Sequence, residues 1–358
     1  MLPLRRRALL AAPALALTAA GRDPSGLAAH AAARGRFFGC AFDVDALADP
    51  ALADHVRGEC AILVGEYSFK WAAVQPAPGV FRFGDAEALM AFAAANGQAM
   101  RGHTLVWHEA NPQWLSDQLT PASGERLLTT YIATVAGRFR GRLAHWDVVN
   151  EPIHPEDGPP FGLRDTLWLR ALGPEYLDLA FHACAAADSG ALRVLNEFGV
   201  DYALDWQARR RAKLLELLAH LRARGVPVQA VGLQGHLDAA ERALDQTVLA
   251  RFVADIAGLG LQVLVTELDV RDDRLPADIA VRDAAVAAHA CAWLDAVLDS
   301  GAVAGVLTWG LSDRRSWLNA RFPRPDGLPQ RPLPLDPALR RTKLWSAIAA
   351  VLDVAPAH

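Results

Sequence analysis

The chain has 358 residues, 52% of them apolar and 21% charged, a composition that suits one large packed core and excludes a disordered or low-complexity protein. Its formal charge is −4, and an acidic chain is a poor partner for nucleic acid or for an anionic membrane surface. Four cysteines, Cys40, Cys60, Cys184 and Cys291, contain no CxxC pair, so neither a disulfide framework nor a structural zinc site is expected. No metal and no cofactor is implied.

Residues 1–20 read as a leader. Met1 to Arg7 is basic, residues 8–20 are apolar, and small residues at Ala14-Leu15-Ala16 and Thr18-Ala19-Ala20 suit a signal peptidase. The three consecutive arginines also permit twin-arginine export. Arg5, Arg6 and Arg7 are the only charges there, so a chain cut after residue 20 carries −7 instead of −4. The expected location is the periplasm or the medium, where an oxidising milieu would permit a Cys40–Cys60 bridge. No other stretch reaches the ~18 uncharged apolar residues of a membrane span.

From Phe37 onward, short apolar runs alternate with helical patterns. Residues 37–44 and 61–65 read as the first two strands, followed by a helix over 85–96 that Gly97 closes. A third strand is expected over 99–107, a helix over 125–139, and a fourth strand over 144–151. The fifth strand is placed at 192–197, and the clearest helix, over 206–224, stops at Gly225-Val226-Pro227. Strands at 227–235, 261–269 and 302–310 complete the set, and a Pro-rich stretch over 322–337 leads to a last helix over 341–352. Eight strands alternating with helices, with no repeat or linker to divide them, predict a single (β/α)8 TIM barrel over residues 37–352.

Two of these strands end in a glutamate, Glu151 after Asn150 and Glu267 after Thr266, 116 residues apart. A barrel keeps its chemistry at the carboxyl ends of its strands, and only closure of the barrel would set these two groups face to face. Glycosidic bond hydrolysis needs one carboxyl as proton donor and a second to meet the anomeric carbon. Trp107, Trp309 and Trp317 supply flat apolar faces of the kind a pyranose ring packs on.

The motifs resemble the family 10 glycoside hydrolases, mostly endo-β-1,4-xylanases. They are Glu66 with Lys70-Trp71, Gly102-His103-Thr104-Leu105-Val106-Trp107-His108, Trp146-Asp147-Val148-Val149-Asn150-Glu151, Gly232-Leu233-Gln234-Gly235-His236, Thr266-Glu267-Leu268-Asp269, and Trp309-Gly310 with Ser316-Trp317. The resemblance implies a retaining mechanism with Glu151 as acid and base and Glu267 as nucleophile. It places His236 between Glu267 and Asp269, and gives Asn150 the 2-hydroxyl of the sugar being cleaved. Lys70, His103 and Gln234 would hold other hydroxyls and the nucleophile, Glu66 would bind substrate, and the three tryptophans would wall the subsite. The expected partner is a xylan-like polysaccharide or oligosaccharide acted on by a monomer.

Three departures from the family's pattern bear on substrate. Tyr67 stands where asparagine is usual, Glu109-Ala110 replaces a polar residue and glutamine, and Asn196-Glu197-Phe198-Gly199 replaces an asparagine, aspartate, tyrosine, asparagine run. The first two remove amides that grip the second sugar on the glycone side. Phe198 is expected to keep a stacking face without the hydroxyl. A bacterial exopolysaccharide or a decorated hemicellulose therefore competes with plain xylan as substrate. Two other readings stay open: a metal-dependent barrel hydrolase using His103, His236 and the carboxylates, and a non-catalytic sugar-binding barrel.

Overall fold

The computed structural model describes residues 23–358, so the leader over 1–20 lies outside the described residues. Nine strands follow in order: β1 Phe37–Ala41, β2 Ile62–Val64, β3 Ala99–Gly102, β4 His145–Asn150, β5 Leu192–Glu197, β6 Ala230–Leu233, β7 His236–Asp238, β8 Gln262–Arg271 and β9 Val303–Thr308. Their order in the sheet is β6-β5-β4-β3-β2-β1-β9-β8-β7, and a further β6–β8 pairing closes it into a barrel. Every named strand pair is parallel. β6 and β7 are one stave interrupted at Gln234 and Gly235, which leaves the eight staves of a (β/α)8 barrel.

The local reasons are those of a parallel sheet covered on its outer face. The runs Val148-Val149, Val194-Leu195 and Val263-Leu264-Val265 are fully or almost fully buried, as strands with helices outside and a packed interior require. The helix Asp205–Ala223 buries Leu214, Leu217, Leu218 and Leu221, spacings of three and four residues that form one apolar stripe against the barrel.

Three features of these elements have physical causes. The β3 ladder ends at Gly102, beyond which Leu105 and Val106 donate to the carbonyls of Asp147 and Val148 at 3.0 and 3.1 Å, so the chain stays extended beside β4 without regular pairing. A helix at Leu27–Ala32 precedes β1; the Glu59 carboxylate accepts from Leu27 N–H at 2.8 Å and from the Trp345 indole at 3.0 Å, tying it to the last helix, Lys343–Val354. The Pro-rich stretch is an ordered loop, pinned by Gln330, whose amide donates to Leu318 O at 3.1 Å, and by buried Leu333 and Leu335. The Cys40 and Cys60 sulfurs lie 3.5 Å apart in buried contact. Among the described residues no helix is long and apolar enough to cross a membrane.

Candidate active site

At the carboxyl ends of the strands the barrel opens into a cleft of about 850 Å³, which Glu66, Lys70, His103, Trp107, Asn150, Glu151, Gln234, His236, Glu267, Asp269, Trp309 and Trp317 all line. Every site residue expected from sequence is therefore brought together. Below it the interior is polar. Arg101, fully buried, pairs with Asp147, whose other oxygen takes His103 Nδ1 at 2.9 Å. A buried guanidinium thus neutralises the carboxylate that orients His103. The Trp146 ring fills the space beside Gly102, where a Cβ would stand 2.2 Å from it, so glycine is required in this motif for packing.

Glu151 follows β4 with φ of +55°, a left-handed conformation that costs a non-glycine residue about 1–3 kcal/mol. Hydrogen bonds hold it there: Glu151 N–H donates to Asn196 O at 2.8 Å, and Arg164 Nε donates to Glu151 O at 3.0 Å. On the side chain, Oε1 accepts from Gln234 at 3.0 Å and from Asn150 at 3.1 Å. Both amide donors go to one oxygen, and Oε2 stands 3.8 Å from His108 Nδ1. Burial and the nearby Arg164 push His108 down to about 4, so that ring is neutral at working pH.

Glu267 lies inside β8, nearly buried, in a different environment. Oε1 accepts from Asn196 Nδ2 at 2.7 Å and Oε2 meets His236 Nε2 at 3.2 Å, while His236 Nδ1 faces Asp269 Oδ1 at 2.9 Å. Burial works against charge on the His236 ring, but the carboxylates of Asp269 and Glu267 outweigh it and raise its pKa well above the usual histidine value. Burial likewise favours the neutral form of Glu267; the His236 hydrogen bond, the charges of the His103 and His236 rings and the Asn196 hydrogen bond more than offset it and bring the pKa to about 2. Trp317 Nε1 donates to the second oxygen of Asp269 at 2.7 Å, fixing both the carboxylate and the ring that walls the cleft.

Asn196, at the end of β5, joins the two glutamates. Its amide donates to Asn150 Oδ1 at 2.8 Å and to Glu267, and its own oxygen accepts from Thr266 at 2.7 Å. Sequence reading noted Asn196 only as the start of an altered run; its place at a strand end, beside two others that carry chemistry, was the available signal. Gln234 grips Glu151 rather than Glu267, and His103 turns Nδ1 to Asp147 while lining the cleft. Lys70 sits with its ammonium 4.5 Å from the Trp107 ring centroid, and burial lowers its pKa against the pull of Glu267, Glu66 and Glu151. Burial raises Glu66 to about 7 despite Lys70.

Glu66 and Lys70 also line an adjoining cavity of about 550 Å³ that reaches Tyr67, Asp43, Asp45, Arg314 and Arg315. Tyr67 is 51% exposed there, while Ala110 has φ of +51° and its carbonyl accepts from Ala72 N–H at 2.9 Å. One face of Phe198 is taken, since the Arg210 guanidinium, held by buried Glu197 at 2.7 Å, lies over its ring at 4.4 Å, and the ring still lines the cleft. Among the described residues no cluster of three or more His, Cys, Asp or Glu side chains is arranged to hold a metal ion.

The model of Glycosyl hydrolase family 10 matches residues 26–351. The chain belongs to glycosyl hydrolase family 10. It is 32% identical over 310 residues to endo-1,4-beta-xylanase 1 of Gibberella zeae, covering 84% of this chain and 85% of that one. To the thermostable celloxylanase of Thermoclostridium stercorarium it is 32% identical over 297 residues, 76% of this chain and 74% of the relative. Among solved structures, native xylanase 10B from Thermotoga maritima superposes with a TM-score of 0.83 at 29% identity, covering 92% of this chain and 98% of that one. Xylanase 10B from Thermotoga petrophila RKU-1, solved in complex with xylobiose, gives the same TM-score and identity over 92% and 97% of the two chains. The family 10 match begins before β1, in keeping with the packed helix at Leu27–Ala32.

Proposed function

We propose that the protein is a retaining endo-1,4-β-xylanase in which Glu151 is the acid and base and Glu267 the nucleophile. The observation that carries this reading is the asymmetry between the two glutamates. Glu267 is held ionised by imidazolium and amide donors, whereas Oε2 of Glu151 faces a neutral histidine and receives none of the amide donors that saturate Oε1. Environments that differ in this way separate a permanent carboxylate from a proton carrier.

In the first step the Glu267 oxygen attacks the anomeric carbon while Glu151 gives its proton to the glycosidic oxygen, which leaves as a hydroxyl. The glycosyl-enzyme ester and an ionised Glu151 remain. In the second step Glu151 takes a proton from water as the water oxygen attacks the same carbon, and the Glu267 carboxylate is released. The Asn150–Asn196 amides keep both carboxyls in register through both steps. In this reading Asn150 bonds the 2-hydroxyl, Trp107, Trp309 and Trp317 wall the ring, and Lys70 and Glu66 receive the hydroxyls on the glycone side.

The adjoining cavity behind Tyr67 supports a chain, or a branch on it, that continues past Glu66 and Lys70. We also propose that residues 1–20 direct export. The test is reducing-end release from beechwood-type glucuronoxylan, linear xylan, mixed-linkage glucan and an acidic bacterial exopolysaccharide by the chain lacking residues 1–20. Xylans are expected to be the best substrates. Turnover of the exopolysaccharide alone would overturn the xylanase reading and leave the retaining chemistry intact.

A further inference from the structure

The cleft has an aromatic face that the catalytic residues and the family motifs leave unused. Trp206, second in the helix Asp205–Ala223, is 40% exposed and lines the cleft beyond Phe198. Its ring rests on Gly199: a Cβ there would stand 2.7 Å from the ring, and φ of +65° suits glycine, so any other residue at 199 would displace the tryptophan. This lobe is on the side of the proton donor. Asn196, two residues before Phe198, accepts the backbone N–H of Glu151, and Arg164 bonds both the Glu151 carbonyl and, at 5.8 Å, faces the Phe198 ring.

The neighbouring aromatic is engaged. Phe198 has the Arg210 guanidinium at 4.4 Å. Among the described residues no ring or cation stacks on Trp206. A flat apolar ring seated by glycine and left open toward the cleft, among side chains such as Gln207, Asp238 and Glu241 that can meet hydroxyls, is the arrangement a pyranose face packs on.

We propose that Trp206 is a stacking platform for a sugar unit of the leaving chain, beyond the unit that meets Phe198, and so makes cleavage favour chains that extend well past the scissile bond on the reducing side. The proposal rests on the xylanase reading above.

The test compares the unaltered enzyme with Trp206→Ala on xylohexaose labelled at its reducing end and on an aryl β-xylobioside, whose leaving group stops short of Trp206. The ratio of kcat/KM on xylohexaose to that on the aryl glycoside is expected to fall about fivefold. The labelled products should shift toward cleavage nearer the reducing end. Trp206→Phe, which keeps a flat ring, should retain most of both. The product distribution reports only on active molecules, so partial misfolding does not mimic the effect, and Trp206→Gln serves if Trp206→Ala does not fold. An unchanged ratio and distribution would overturn the proposal alone. Inactivity of the unaltered enzyme on both substrates would overturn the xylanase reading with it.

Discussion

Replacing Glu267 by alanine lowers kcat on xylan by roughly 10⁴-fold or more, the scale on which removal of a covalent nucleophile acts. No second carboxylate in the cleft stands where Glu267 does: Glu66 has a pKa raised to about 7 by burial, and Asp269 is bound by His236 and Trp317. With an activated aryl xylobioside, azide should enter the space left by the side chain and yield the α-glycosyl azide, the product of a single inversion. The histidine beside Glu267 extends the same expectation to pH. In the unaltered enzyme Glu267 has a pKa of about 2, below its ordinary carboxylate value, so it stays ionised on acidification until that pH. His236→Gln removes the imidazolium that lowers it. The pKa then rises toward ~4.3, the ordinary glutamate value, and the acid limb of kcat/KM moves to higher pH. An acid limb left in place would show that His236 does not tune the nucleophile.

The second large effect belongs to Glu151. Glu151→Gln keeps the shape and the contact to Gln234 but removes the transferable proton, and kcat/KM on xylan is expected to fall roughly 10²- to 10⁴-fold. A dinitrophenyl xylobioside needs little protonation of its leaving group, so its first step should be nearly spared. Its second step loses the base, the glycosyl-enzyme accumulates, and KM falls along with kcat. Azide should now yield the β-glycosyl azide, because it intercepts the ester from the opposite face. Opposite anomers from the two variants separate the roles of the two glutamates, and the same anomer from both would contradict the assignment.

The barrel was legible in the chain because parallel strands buried on both faces leave continuous β-branched runs, and β5 at Leu192–Glu197 has the expected bounds. The short β7 was not, since Gln234-Gly235 reads as part of one strand until β8 pairs separately with His236–Asp238. The two glutamates stood out as strand ends in the sequence, and Glu151 does follow β4 directly, whereas β8 runs past Glu267 to Arg271. Asn196 could not be assigned in the same way, because its partners Asn150 and Glu267 lie 46 and 71 residues away and converge on it only when the barrel closes. The Arg101–Asp147 pair under His103 is hidden for the same reason, as an arginine in a strand carries no sign that it points inward. Phe198 shows the converse limit: a side chain suited to stacking was legible, but not the Arg210 guanidinium that covers one of its faces. Trp206 was read as the first residue of a helix, and its exposure to the cleft emerges only with Gly199 in place beneath it.

The most direct measurement is the configuration of the sugar first released. Xylohexaose is hydrolysed at high enzyme concentration and the anomeric protons are followed by NMR before mutarotation mixes the forms. Two displacements through Glu267 require the new reducing end to appear as the β-anomer and to drift to equilibrium afterwards. Initial release of the α-anomer would mean a single displacement by water, and would contradict Glu267 as nucleophile and Glu151 as the group that serves both steps.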